Sequence, residues 1–117
     1  MMRRGEIWLV DLEPVRGSEA NKTRPVIIVS NDGANIRASS LGRGVITVVP
    51  ITSNTSKIYS FQMLIPQSSE TNIAVPSKAQ AEQLRSVDYQ RFIRRIGRLS
   101  STQIDELDER LKLHLAL

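Results

Sequence analysis

The chain has no cysteine, so it can build neither a disulfide framework nor a thiolate metal site. That accords with a reducing compartment. A single histidine, His114, rules out a nuclease that uses two histidines as acid and base. Lying between Leu113 and Leu115, it reads as a surface or helix-end residue. Aromatic residues are 4% of the chain, too few for the stacked-base platforms of general single-strand binders. The apolar run near the N-terminus, Ile7-Trp8-Leu9-Val10, is too short for a signal peptide or a membrane span. The reading is therefore a soluble, cytoplasmic protein with no membrane partner. Gly42-Arg43-Gly44 is too short for a phosphate-cradling loop, and no nucleophile-elbow sequence occurs. Asp11, Glu13, Asp32, Glu82 and Asp88 are scattered without histidine or cysteine beside them, so no metal site and no cofactor is expected.

What is present is basic charge and many short β-type runs. The 117 residues suit one domain, 1–117, with a core of its own. Lys and Arg number 16 against 12 Asp and Glu. From Ser100 onward four acids face only Arg110 and Lys112, which leaves 14 basic and 8 acidic residues in the body before it. A basic body favours a polyanionic partner, and it also suits a merely solvated surface.

Strands are expected at Glu6–Leu12, after the loop to Thr23 and through Ser30, and at Val45–Val49. The third breaks at Pro50, with Ile51–Asn54 continuing it or turning off its end. Further strands are expected at Phe61–Ile65, at a short edge Ile73–Pro76, at Ala79–Val87 and at Ile93–Leu99. Asn31-Asp32-Gly33 reads as a turn, and Ala34–Leu41 has room for a short helix. At the C-terminus the period changes. Ile104, Leu107, Leu111 and Leu115 recur at helical spacing after a capping box of Ser100 and Gln103. Many short strands with little helix predict a mainly β fold, a small curled antiparallel sheet or barrel carrying a C-terminal amphipathic helix.

Residues Gly17 to Val29 concentrate the chemical information. A polar loop runs into Arg24-Pro25, and then into Val26-Ile27-Ile28-Val29. Pro25 biases Arg24 toward an extended backbone, which puts a guanidinium at the mouth of a buried strand. With acid–base pairs and metals set aside, what remains is arginine, hydroxyl and amide chemistry. Such groups can cleave RNA when the ribose 2′-OH supplies the nucleophile, a cyclic phosphate forms and the 5′-oxygen leaves. DNA lacks that hydroxyl. Arg24 is placed to hold two phosphoryl oxygens and Thr52 to add a hydroxyl donor. Each also has a bland reading. Arg24 suits a surface ion pair, Thr52 a satisfied strand end, Ser18, Glu19 and Asn21 an ordinary loop, and Glu82 with Gln83 a strand's solvent face.

Seven pieces in order resemble one family, that of the MazF/PemK toxin endoribonucleases of type II toxin–antitoxin systems. They are Arg4-Gly5-Glu6-Ile7-Trp8 with Asp11-Leu12, Gly17-Ser18-Glu19 through Arg24-Pro25-Val26, Ser30-Asn31-Asp32, Pro50-Ile51-Thr52-Ser53, Ala81 through Asp88, Ile96-Gly97-Arg98-Leu99, and the closing Leu111–Leu117. The resemblance implies an SH3-like small β-barrel of the MazF/PemK/CcdB type, assembled as a homodimer. It implies metal-independent, sequence-specific cleavage of single-stranded RNA, whether mRNA, rRNA or tRNA, to 2′,3′-cyclic phosphate and 5′-hydroxyl ends. Translation and growth would stop, and a cognate antitoxin with an acidic tail would neutralise the toxin. Arg24 and Thr52 match the family's catalytic positions. Ser18, Glu19, Asn21, Lys22, Ser53, Asn54, Glu82 and Gln83 become candidates for RNA contact. Trp8 reads as core or interface. The rivals are a gyrase-inhibiting toxin of the CcdB branch and a non-catalytic RNA-binding module. The CcdB branch depends on a Trp near its extreme C-terminus, whereas this chain ends Leu115-Ala116-Leu117 and has its one Trp at position 8.

Overall fold

A computed structural model describes residues 2–12 and 23–117. Strands β1 (Glu6–Asp11), β2 (Thr23–Ile28), β3 (Val45–Thr52), β4 (Gln62–Ile65), β5 (Ser77–Gln80), β6 (Arg85–Asp88) and β7 (Phe92–Arg98) form one antiparallel sheet. The order is β4-β5-β3-β2-β1-β7, with β6 also paired to β3. Helix α1 (Asp32–Leu41) joins β2 to β3, and α2 (Ser101–Leu115) closes the chain. The sheet is not closed by a ladder between its end strands, so the barrel is approximate. The segment after β4 does part of that work. Arg98 N–H donates to the Glu70 carbonyl at 3.0 Å, and Gly97 lies so near Thr71 that a Cβ would collide with its carbonyl.

Four local expectations are corrected. First, β3 does not break at Pro50 but runs to Thr52. Along one edge it pairs β6 through Val48↔Arg85 and then β5 from Ile51↔Ala79. Pro50 falls where that edge has no residue opposite, the kind of interruption at which proline is tolerated in a sheet. Second, the expected strand Ala79–Val87 is two strands, β5 and β6, separated by a 3-10 turn at Ala81–Gln83. Ala-Glu-Gln contains no β-branched residue to hold the extended backbone. Third, Asn31-Asp32-Gly33 is a helix start. The Asn31 side chain accepts from Ala34 N–H at 2.8 Å, and α1 begins at Asp32. The residues that favour turns are those that favour helix N-caps, so the local pattern serves both. Fourth, Ile73–Pro76 is not a strand; Ile73 makes only an isolated bridge to Ser68.

Both faces of the sheet are buried, which is why Val26-Ile27-Ile28 and Val45-Ile46-Thr47-Val48-Val49 read as near-continuous apolar runs. Ile7, Ile27, Val49 and Ile51 point to one face, where Met63, Ile65, Leu99 and the α2 residues Leu107 and Leu111 complete a core. Val10, Val26, Ile28, Ile46, Val48 and Val87 point to the other, against Met2 and Ala38. Each fully buried Val or Ile contributes about 1.5–3 kcal/mol. Trp8 packs at the margin of the second core, edge-on to Phe92 with centroids 6.0 Å apart, and its indole N–H donates to Glu6 Oε1 at 3.0 Å. The capping box forms as expected. Gln103 N–H donates to Ser100 Oγ at 3.1 Å, and Ser100 N–H to Gln103 Oε1 at 2.9 Å.

Arg4 ties the two helices to the sheet. Its Nη2 meets Asp108 Oδ1 at 2.7 Å, its Nε donates to the Val29 carbonyl at 2.8 Å, and its backbone N–H donates to Asp32 Oδ1 at 2.7 Å. The Arg4 N–H bond is the largest cause holding the Asp32 carboxyl below its usual range. The Asn35 side chain and the Arg3 and Arg4 charges add to it against the opposing effect of burial.

Candidate active cleft

Alternation along the strands decides what reaches the cleft. In β2 and β3, Arg24 and Thr52 have the same parity as Val26, Ile28, Ile46 and Val48, so they extend the second face beyond its apolar part. Val26 pairs with Pro50, which sets the C-terminal end of β3 beside the start of β2. Gln80 ends β5, Gln83 ends the 3-10 turn and Arg85 opens β6. Together with Leu12, Pro50 and Ile51 these residues line a cleft of about 320 Å³. A second hollow of about 270 Å³ adjoins it, sharing Arg24, Ile51 and Thr52 and adding Leu9, Pro25 and Ser53.

The described residues lining the main cleft present two guanidinium groups, two amides and a hydroxyl, and no carboxylate is among them. That set donates hydrogen bonds and carries positive charge, the requirement for binding a phosphodiester. Among the described residues neither Arg24 nor Arg85 forms an ion pair, and no group of three or more His, Cys, Asp or Glu is placed to hold a metal. The Thr52 hydroxyl oxygen accepts the Asn54 N–H at 3.3 Å. A larger cavity, about 460 Å³, lies by Trp8, Tyr89 and Phe92, but the described residues lining it carry no charge. The smaller cleft is therefore the better anion site.

The structure gathers Arg24, Thr52 and Gln83 in the main cleft and Ser53 in the adjoining one. Asn54 lines neither; its side chain accepts from Ser56 N–H at 3.2 Å and Ser56 Oγ at 2.8 Å. Glu82 also lines neither. It lies beside β4, and its Oε2 accepts from Gln62 Nε2 at 2.8 Å. A single strand through 79–87 would set Gln80 with Glu82 on one face and Gln83 with Arg85 on the other; the 3-10 turn breaks that alternation, bringing Gln80, Gln83 and Arg85 to one cleft while Glu82 turns to β4. Ser18, Glu19, Asn21 and Lys22 lie outside the described residues. Gln80 was not among the sequence candidates, and Arg85 entered only within the matched stretch Ala81 through Asp88. The signal was the run Ala81-Glu82-Gln83-Leu84, whose weak β-propensity breaks the strand and resets the phase of the residues on either side.

A family model described as the PemK-like, MazF-like toxin of type II toxin–antitoxin systems matches residues 3–115. The chain is 60% identical to Endoribonuclease MazF9 of Mycobacterium tuberculosis over all 117 residues, covering 98% of that protein. It is similar in fold to an endoribonuclease in complex with its cognate antitoxin from a mycobacterial species. There the TM-score is 0.77 at 17% identity, with 100% of this chain and 97% of the other covered. A MazE–MazF crystal structure from Deinococcus radiodurans gives a TM-score of 0.79 at 20% identity, covering 99% of this chain and 96% of that one.

Proposed function

We propose a reaction and a site for this chain, which belongs to the PemK-like, MazF-like family of type II toxin–antitoxin toxins. It is an endoribonuclease toxin, and residues 1–117 form its one toxin domain. Its substrate is single-stranded RNA, cut at a preferred sequence. The ribose 2′-oxygen attacks the adjacent phosphorus, its proton passes to solvent, and the P–O5′ bond breaks as the 5′-oxygen takes up a proton. The ends are a 2′,3′-cyclic phosphate and a 5′-hydroxyl. Arg24 holds two non-bridging oxygens and stabilises the charge that grows on them in the phosphorane. Thr52 donates its hydroxyl to the same group. Gln83, Gln80 and Arg85 grip the flanking nucleotides, and Ser53 contacts the strand from the adjoining hollow. Ser18, Glu19, Asn21 and Lys22 contact the RNA, and Asn54 and Glu82 act at the margin. No metal or cofactor enters the chemistry.

The observation that carries this reading is the convergence of Arg24 and Thr52, from separate strands, in one cleft with no carboxylate among the described residues that line it. The relatives add the setting. Solved structures of the fold include toxin with cognate antitoxin, so an acidic antitoxin segment is the natural blocker of this basic cleft. The working form is a homodimer. No helix of the described residues is long and apolar enough to cross a membrane, and the proposed place of action is the cytoplasm.

The test is cleavage of a long defined RNA with every new 5′ end mapped, in EDTA, beside the same RNA carrying 2′-deoxyribose at the mapped sites. Cleavage that persists in EDTA and stops at the deoxy positions supports the reading. Scission at a 2′-deoxy site, or a requirement for added metal, refutes it. A gyrase supercoiling assay run alongside is expected to show no inhibition.

A further inference from the structure

Among the described residues one cation is buried. Lys78 in β5 is 8% exposed. Its backbone pairs with Thr52 on one side and Leu64 on the other. Cross-strand partners project to the same face, so the Lys78 side chain rises beside Thr52. Burying an ammonium is unfavourable unless it is hydrogen-bonded, and here Nζ donates to the Lys57 carbonyl at 2.6 Å. No ion pair joins Lys78 to another described residue.

Lys57 belongs to the 53–61 segment that leaves Thr52. This segment is mostly exposed and is held by hydrogen bonds. Asn54 N–H donates to Thr52 Oγ1, and Ser56 donates twice to Asn54 Oδ1. Lys57 is then fixed by Lys78. The far end is tied separately, by Arg110 Nη1 to the Ser60 carbonyl at 2.6 Å and by Tyr59 N–H to Gln62 Oε1 at 3.0 Å. Where apolar burial is sparse, each such anchor governs how far the backbone opens. A hydroxyl oxygen that accepts the Asn54 amide keeps its own hydrogen for donation, and Thr52 lines the cleft.

We propose that Lys78 is a positioning residue for the Thr52 hydroxyl. Its ammonium clamps the Lys57 carbonyl and thereby holds the Asn54 amide against Thr52 Oγ1. This rests on the role given to Thr52 above.

Lys78→Met keeps the length of the side chain and removes the clamp. Steady-state cleavage of a short RNA with one site is expected to show kcat down about 10- to 100-fold, the cost of a misplaced catalytic group, with KM within about twofold. Lys78→Arg restores part of the loss. Arg110→Ala, which frees only the far end, leaves kcat within about twofold. Amide hydrogen exchange at Asn54 quickens in Lys78→Met and not in Arg110→Ala. The proposal is overturned if folded Lys78→Met cleaves at the parent rate, or if both variants lose activity alike. Should Lys78→Met fail to fold, an Asn54 amide in the parent protein as fast to exchange as an unstructured peptide refutes the clamp. That exchange reading needs no cleavage. An inactive parent protein would instead remove the role of Thr52 while leaving the clamp measurable.

Discussion

Arg4 and Arg24 carry the same guanidinium in opposite settings. Arg4 gives its Nε to a backbone carbonyl and its Nη2 to Asp108, while its own N–H serves Asp32. Arg24 stands exposed at the start of β2 in a cleft whose described residues include no carboxylate. An arginine whose donors are used within the fold stabilises it. One that immediately precedes a proline at a strand mouth and faces a cleft with no acid among its described residues keeps its donors for a ligand.

That contrast breaks first at Arg24. Arg24→Ala is expected to cut the RNA cleavage rate about 10³-fold, in the range found when a main transition-state donor is lost, with an unchanged melting temperature. Arg24→Lys recovers little, because an ammonium cannot bridge two oxygens in a fork. Thr52→Ala comes next, at about 10²-fold, and Thr52→Ser sharpens the point by regaining most of the rate. A rate loss that tracked unfolding in either variant would erase the distinction between the two arginines.

Arg85→Gln is expected to act on binding. KM rises about tenfold with kcat little changed, and the salt dependence of binding becomes shallower by roughly one charge. Arg4→Ala is the converse experiment. Stability falls by about 1 kcal/mol, since the Asp108 pair is partly solvated, while the rate per folded molecule stays put. The smallest effect belongs to Asp32, whose carboxyl titrates below its ordinary value of 3.8 because it accepts the Arg4 N–H. Its contribution to stability is complete above that ordinary value and disappears as pH falls through the lowered one. Asp32→Asn should therefore flatten acid unfolding below about pH 4 and lower stability at neutral pH. An unaltered acid limb in the variant would contradict this.

The sequence made the strong local signals legible. The Ser100–Gln103 capping box, the helical spacing of Leu107 and Leu111, and the apolar runs of β2 and β3 stand in the structure where residue chemistry put them. It misled where one residue type serves two local geometries. Asn31 caps a helix with the side chain that could have made a turn, and Pro50 continues a strand because the neighbouring edge leaves a gap there. The cleft was half legible. Arg24 and Thr52 could be matched in the sequence, but Gln80, Gln83 and Arg85 come together only because three residues step out of a strand. Lys78 gave no signal at all, since nothing in Ser77-Lys78-Ala79 reports that the ammonium is enclosed.

The close approach at Gly97 has a consequence for the crowded cell. A sheet that ends in a free strand invites other chains to add to it, and β7 is such a strand by order. Here its last residues are overlain by the chain's own 68–73 turn, which sits flush only because position 97 has no side chain. Any bulkier residue there would lift that cover and bare a strip of unpaired backbone to which other chains could add.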